Sequence, residues 1–300
     1  MSITIFMKSL FNHRSKAIFI IALVVMVASC SVKTMYKQLD YLIPSYVEGM
    51  VSLDSMLEEK VEQRTLVLIN WHRNTQLHQY AAWLHVLQGD ANDQLTEEKM
   101  LQHISTLDRF WQLLLLKSSE EMASLLPLLN AEQRKELFSN IADKNKDYRE
   151  ENVDVDKDKR IVQYTEHNTE HNTEHMLDNY ETWLDDLTDE QESAVKQAAT
   201  KLQSTAELRL ERRLQWQRSI QGILATNDSA TQKAVSLGQY FTDYNRRDNV
   251  AMNTIEQTNR QILARLTVQI VHNMTEKQNA HFVSRTNDYI RMFNELAAER

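Results

Sequence analysis

The sequence predicts an all-α fold, a bundle of long helical hairpins, and three observations predict it. The 300 residues hold only 4 Gly and 2 Pro, and strand-rich folds need many turns built from those residues. Gln, Glu, Leu, Ala, Lys and Arg are abundant and suit helices. Three segments match a capping box, an N-cap side chain answered three residues later by Gln: Asn130-Ala131-Glu132-Gln133, Thr188-Asp189-Glu190-Gln191 and Thr275-Glu276-Lys277-Gln278. Hydrophobic residues make up 42% of the chain, which supports a core and argues against wholesale disorder.

The elements follow in chain order. Residues 1–29 read as a signal peptide. Lys8, Arg14 and Lys16 form a basic n-region, and 17–27 is an uncharged apolar run. That run is shorter than the ~20 residues that span a bilayer as a helix, but it suits a signal h-region. Val27-Ala28-Ser29-Cys30 closes it: an aliphatic residue, two small ones, then cysteine. The segment resembles the lipobox of bacterial lipoproteins, which implies cleavage before Cys30 and lipid on its thiol. Cys30 is the sole cysteine, so no intrachain disulfide can form. A lipidated Cys30 spends its sulfur in a thioether, which excludes thiol catalysis. Two acyl signals or more anchor stably. Beyond the covalent diacylglycerol and N-acyl chain on Cys30, no cofactor is expected. Ser31, rather than aspartate, follows the cysteine. In this lipoprotein class that implies the outer membrane, facing the periplasm.

Residues 30–52 form the anchor and a membrane-proximal segment, and 53–300 the helical domain, with a subdivision allowed near 145–165. One long helix is expected over 54–88, with Leu57, Val61, Leu68, Trp71, Ala81, Leu84 and Leu87 at three- and four-residue steps. Gly89 is its expected stop, followed by a loop over 89–94. A second helix starts near Thr96, with Leu101, Ile104, Asp108, Trp111 and Leu115 on its inner face and a break at Ser118 and Ser119. Pro127 disfavours continuation. The Asn130 box opens a helix that runs into the charge-rich stretch 143–160, which reads either as a solvated helix or as a linker. The Thr188 box opens a helix to about Leu224, and the Thr275 box opens the last one. Before it, Ile255, Ile262, Leu266 and Ile270 form another inward stripe.

Charge limits the partners. The formal net charge is −8, and removing the three cations of residues 1–29 leaves −11 on the rest. A net acidic surface repels nucleic acid, so no nucleic-acid partner is expected. Arg209, Arg212, Arg213 and Arg218 read as a solvated helix face. The expected partners are the membrane, through the anchor, and another envelope protein. Trp71, His72, Arg73, His78 and Tyr80 form the most aromatic-rich patch. It reads as a partner surface, since Trp, Tyr and Arg dominate hot spots, or as a core stripe edged by polar tips. Trp183 and Trp216 read as core anchors.

His167, His171 and His175 recur every four residues within a Thr-Glu-His-Asn repeat, a spacing that helical metal ligands use. They are weak candidates. The repeat looks like tandem duplication, and two helical histidines bind weakly without a third ligand and supporting hydrogen bonds. No metal site is expected. The chain has no Gly-rich phosphate loop, H-E-x-x-H, G-x-S-x-G or C-x-x-C. Carboxylate pairs such as Asp185 and Asp186 sit in a charge-rich helix-end context. No enzyme activity is expected.

Three segments resemble an uncharacterised family of gammaproteobacterial lipoproteins defined by a domain of unknown function. The first comprises Cys30-Ser31, Tyr41-Leu42 and Trp71-His72-Arg73 with Leu77 and Tyr80. The second is Leu128-Leu129-Asn130-Ala131-Glu132-Gln133. The third comprises Trp183-Leu184, Leu187-Thr188-Asp189-Glu190-Gln191 and Arg212-Arg213-Leu214-Gln215-Trp216-Gln217. This implies a helical outer-membrane lipoprotein of unknown role, for which non-enzymatic binding of another envelope component is the expected one. Leu187-Thr188-x-x-Gln191 also resembles the L-T-x-x-Q motif of Spy-like periplasmic chaperones, which implies client binding as the alternative.

Cys30→Ala is expected to abolish palmitate labelling and leave the precursor uncut. Labelling of the variant equal to that of the unaltered chain refutes the lipobox.

Overall fold

A helix leaves its first N–H groups without intrahelical acceptors, and in this chain side chains supply them at helix after helix. The computed structural model describes residues 29–154, 162–246 and 250–299, with side chains described except at 29–31, 162–172 and 244–246. The elements are α1 (Ser29–Lys37), α2 (Leu39–Glu48), α3 (Ser55–Thr75), α4 (Leu77–Asn92) and α5 (Glu97–Leu125). A 3₁₀ turn (Leu126–Leu128) then leads to α6 (Ala131–Asn152), α7 (Val162–Leu184), α8 (Asp189–Ala199) and α9 (Ala206–Ala225). The chain ends in α10 (Ala230–Arg246), α11 (Val250–His272) and α12 (Glu276–Ala298). Among the described residues there is no strand.

All three expected capping boxes form. Asn130, Thr188 and Thr275 each accept from the backbone N–H three residues on, and Gln133, Gln191 and Gln278 reach back to the N-cap N–H. A fourth, between Ser229 and Gln232, opens α10. Asp54 and Thr96 cap α3 and α5.

Four hydrophobic clusters hold the helices. One joins Val32 of α1, Leu77, Ala81 and Leu84 of α4, and Tyr289, Phe293 and Leu296 of α12. The second gathers Val195 and Ala198 of α8 with Leu266 and Ile270 of α11 and Phe282 of α12, and Trp183 packs against both clusters. The third sits at the other end of α5, where Ala123 meets Ile220 and Leu224 of α9 and Leu237 and Phe241 of α10, with Trp216 beside them. The fourth unites Val51, Leu57 and Leu129. α5, about 44 Å long at 1.5 Å per residue, packs on α4 and α11 as well as on α10.

Four expectations about helix limits need correction. The helix expected over 54–88 breaks at Gln76 (φ −104°). Gln79 Nε2 donates to the Thr75 carbonyl at 2.7 Å and Thr75 Oγ1 to the Trp71 carbonyl at 2.7 Å. Such side-chain competition for ladder carbonyls bends helices. The second helix segment then continues through Gly89 to Asn92, and the left-handed residue beyond it is Gln94 (φ 56°). α5 runs on through Ser118 and Ser119, and Ser119 stays in helical register although its Oγ donates back to the Leu115 carbonyl at 2.7 Å. The helix expected from Thr188 to Leu224 is two, α8 and α9. The gap is held from outside: Gln203 N donates to Asn259 Oδ1 (3.0 Å) and Asn259 Nδ2 to the Gln203 carbonyl (2.8 Å). In the stretch 143–160, residues up to Asn152 are helical, and 155–161 lie outside the described residues.

The boxes at Thr188 and Thr275 are joined. Gln191 and Gln278, each 2% exposed, exchange reciprocal hydrogen bonds of 3.1 and 2.7 Å. Gln191 Nε2 also donates to the Asn273 carbonyl (3.2 Å), and Gln278 Nε2 to the Asp186 carbonyl (2.8 Å). Each amide thus caps its own helix and ties down the loop leading into the other's.

Thr275→Ala is expected to cost about 1 kcal/mol as a lost cap. Gln278→Ala is expected to cost about 3 kcal/mol, because it also strands buried polar groups on Gln191 and Asp186. Urea unfolding monitored by far-ultraviolet circular dichroism measures both. Equal losses contradict the larger role assigned to Gln278.

Candidate functional site

The aromatic patch singled out in the sequence lies where α3 gives way to α4. The break at Gln76 turns α4 so that Tyr80 faces back toward His72. His72, 9% exposed, hydrogen-bonds Tyr36 Oη through Nδ1 (3.0 Å) and Tyr80 Oη through Nε2 (3.1 Å). A neutral imidazole donates from one nitrogen and accepts at the other, so one tyrosine accepts and the other donates. Tyr80 stacks edge-on against Phe293 of α12 and lies 4.7 Å from the Phe110 ring of α5. The Arg73 guanidinium stands 6.0 Å from the Tyr36 ring.

The five residues therefore do not share one exposed face. His72 is interior, Trp71, Arg73 and Tyr80 are half-buried, and His78 alone is exposed, bonded to Asn294 of α12 at 3.3 Å. The core-stripe reading describes this geometry, with His72 as a buried polar tie between α1, α3 and α4. Burial lowers the His72 pKa to about 4, and burial also raises the Tyr36 and Tyr80 hydroxyls.

A second histidine, missed in the sequence, is also buried. His103 of α5 bonds Asp90 of α4 through Nε2 at 3.0 Å, and Lys99 pairs with the same carboxylate at 2.7 Å. The Lys99 hydrogen bond, with His103 adding to it, holds Asp90 below the usual carboxylate range. His103 stands seven residues before Phe110, so both lie on one helical stripe, and that spacing was the available signal. The polar interruption Asp108 pairs with Arg260 of α11 at 2.8 Å, yet burial, outweighing Arg260, raises its carboxyl.

These sets suit structure better than catalysis. A relay needs a nucleophile beside the histidine and an orienting partner behind it. The hydrogen-bond partners of His72 are two tyrosines, and that of His103 is a carboxylate. Two open polar clefts lie at helix starts, one bordered by Asp189, Glu190 and Gln269, the other by Asp54, Glu132 and Glu136. Their carboxylates oppose the anions that helix N-termini otherwise attract. Among the described residues no group of three or more His, Cys, Asp or Glu gathers as metal ligands. The side chains of His167 and His171 lie outside the described residues, as does that of Cys30, and His175 is half-buried on α7.

Burial of neutral His72 makes stability depend on pH. Its folded pKa, about 4, lies below the unfolded value near 6.5, so the unfolded chain binds more protons between those values. Stability from this group is full above about pH 6.5 and falls as pH drops toward 4, by on the order of 3 kcal/mol. His72→Gln is expected to flatten urea midpoints over that window. An unchanged pH slope refutes the assignment.

No helix among the described residues is long and apolar enough to cross a membrane. A search of the curated proteins found no match, and neither did a search of the solved structures. A family model does match, over residues 50–239. That span begins at the buried Met50 and ends inside α10, so α11 and α12, which complete the Gln191–Gln278 junction and the α4 interface, lie beyond it. It covers more than half of the chain, and the protein belongs to the family of unknown function DUF6279.

Proposed function

We propose that this protein is a lipid-anchored component of the outer membrane's periplasmic face, non-enzymatic, that binds another envelope protein. The seating of α1 carries the reading. The helix that includes Cys30 is part of the folded body rather than a tether. Val32 is 7% exposed within the first core cluster, Tyr36 bonds His72, and Lys33 and Lys37 pair with Glu295 of α12 and with its C-cap Glu299 at 2.6 and 2.7 Å. A lipid on Cys30 would hold the whole bundle at the membrane in a fixed attitude.

The binding surface we favour is α3. Its inner stripe, Leu57, Val61, Thr65, Ile69 and His72, is buried, while Met56, Leu66 and Val67 are exposed on the outside. The chaperone alternative draws on Leu187-Thr188-x-x-Gln191. In this chain that motif caps α8 and joins α12, which accounts for it without a client.

A photo-crosslinking residue at Val67 in cells is expected to give one discrete adduct with an envelope protein. The same residue at Lys146, on the charged face of α6, is expected to give none. A smear of many adducts favours the chaperone, and absence of adducts at Val67 contradicts the α3 surface. Loss of the adduct in the Cys30→Ala chain links binding to anchoring.

A further inference from the structure

Residues 74–89 contain no Asp, Glu, Lys or Arg, in a chain that is 25% charged. They make up the end of α3 and most of α4. The outward positions of α4 are His78, Gln79, Ala82, His85, Val86 and Gly89, all exposed, with Val86 at 58%. α12 lies antiparallel beside it: His78 meets Asn294, while Gln88 donates to Thr286 Oγ1 (2.7 Å) and Asn287 Oδ1 (3.2 Å). Along that side of α12 the exposed Ala280, Ser284, Asn287, Asn294 and Ala298 are uncharged, and the exposed charges beside them are matched, Lys277 by Asp185 and Glu295 by Lys33, with Glu276 at the helix start. Arg291 stands among them but is paired with Asp288.

The starts of α3 and α8 differ. The outer side of α3 begins with Glu58, Glu59 and Glu62, and α8 opens with Asp189, Glu190 and Glu192. In a chain carrying −11 beyond its first 29 residues, the face shared by α4 and α12 is thus near-neutral.

That face adjoins the anchor helix. Lys33 and Lys37 of α1 pair with Glu295 and Glu299, which follow Asn294 and Ala298 on α12. Cys30 is one turn before Lys33 in the same helix, about 5 Å along its axis at 1.5 Å per residue. Acyl chains leaving α1 have no spacer to carry them away from α12.

We infer that the outer face shared by α4 and α12 is the surface this protein turns to the bilayer, resting on lipid headgroups beside its own anchor. The inference rests on the lipidation of Cys30 proposed above. Anionic headgroups repel the acidic faces, and the neutral face approaches at the least electrostatic cost. Val86 and Ala82 present apolar surface there, and His78, Gln79 and Asn287 can hydrogen-bond headgroups and interfacial water.

Lipidated Cys30 offers no free thiol, so one added cysteine can be labelled in the full mature lipoprotein. Val86→Cys and Asn287→Cys report on the proposed face, and Glu62→Cys and Lys146→Cys on others. Each labelled protein is reconstituted into phosphatidylethanolamine–phosphatidylglycerol vesicles carrying headgroup nitroxide, and fluorescence quenching is read. The expected result is at least threefold stronger quenching at 86 and 287 than at 62 and 146. Equal quenching at all four, or the reverse order, overturns the inference. Self-quenching at 86 in detergent without vesicles assigns the face to a second copy and overturns it too. So does weak quenching at 86 and 287 accompanied by protection when envelope proteins are added, which assigns the face to a protein. Failure of the protein to float with vesicles is read before any label. That outcome refutes lipidation and the inference with it, whereas a floating protein with the wrong quenching order refutes the orientation alone.

Discussion

Gln191 and Gln278 meet in the interior between α8 and α12, where each amide oxygen caps a backbone N–H and each amide nitrogen holds a carbonyl of the opposing loop. Buried amides are costly when unpaired, so this arrangement tolerates one geometry. The starts of α8 and α12 must stand side by side with both turns formed. From that junction α12 runs antiparallel to α4, which places Phe293 against Tyr80 and Glu295 beside Lys33. Helix α1, the His72 tie and the near-neutral face of α4 and α12 all take their position from α12, and α12 takes its start from Gln278.

The same device recurs with a different partner. Gln133 caps α6 and donates through Nε2 to the Ser52 carbonyl at 3.0 Å, fixing the loop before α3. The Asn145 and Gln217 amides exchange hydrogen bonds between α6 and α9 at 2.6 and 3.3 Å. Polar side chains inside a bundle specify which helices may pair where apolar packing alone would accept several. A chain with few glycines and prolines to fix its turns gains that specificity from amides.

The all-α class and the three boxes were legible because each rests on local chemistry: composition, period and a four-residue signature. What those boxes do beyond capping was not legible, because the partners of Gln191 and Gln278 lie 87 residues apart in sequence. The gap between α8 and α9 was hidden for the same reason, being set by Asn259 on a distant helix, whereas the break at Gln76 is local, where the Thr75 and Gln79 side chains bond ladder carbonyls inside an unbroken apolar period. His72 illustrates a pattern with two readings. An aromatic-rich stripe with a histidine suits a surface or a core equally, and the choice depends on Tyr36 arriving from α1. His103 was missed because its partner Asp90 sits beyond a loop, on another helix.

A double-mutant cycle on Gln191→Ala and Gln278→Ala tests the central claim most directly, with stability read from urea unfolding. If the two amides form one junction, the double variant loses less than the sum of the singles, with a coupling of at least ~1 kcal/mol. Additivity within about 0.3 kcal/mol would mean that each glutamine caps its own helix and nothing more, and that α12 is positioned by apolar packing alone.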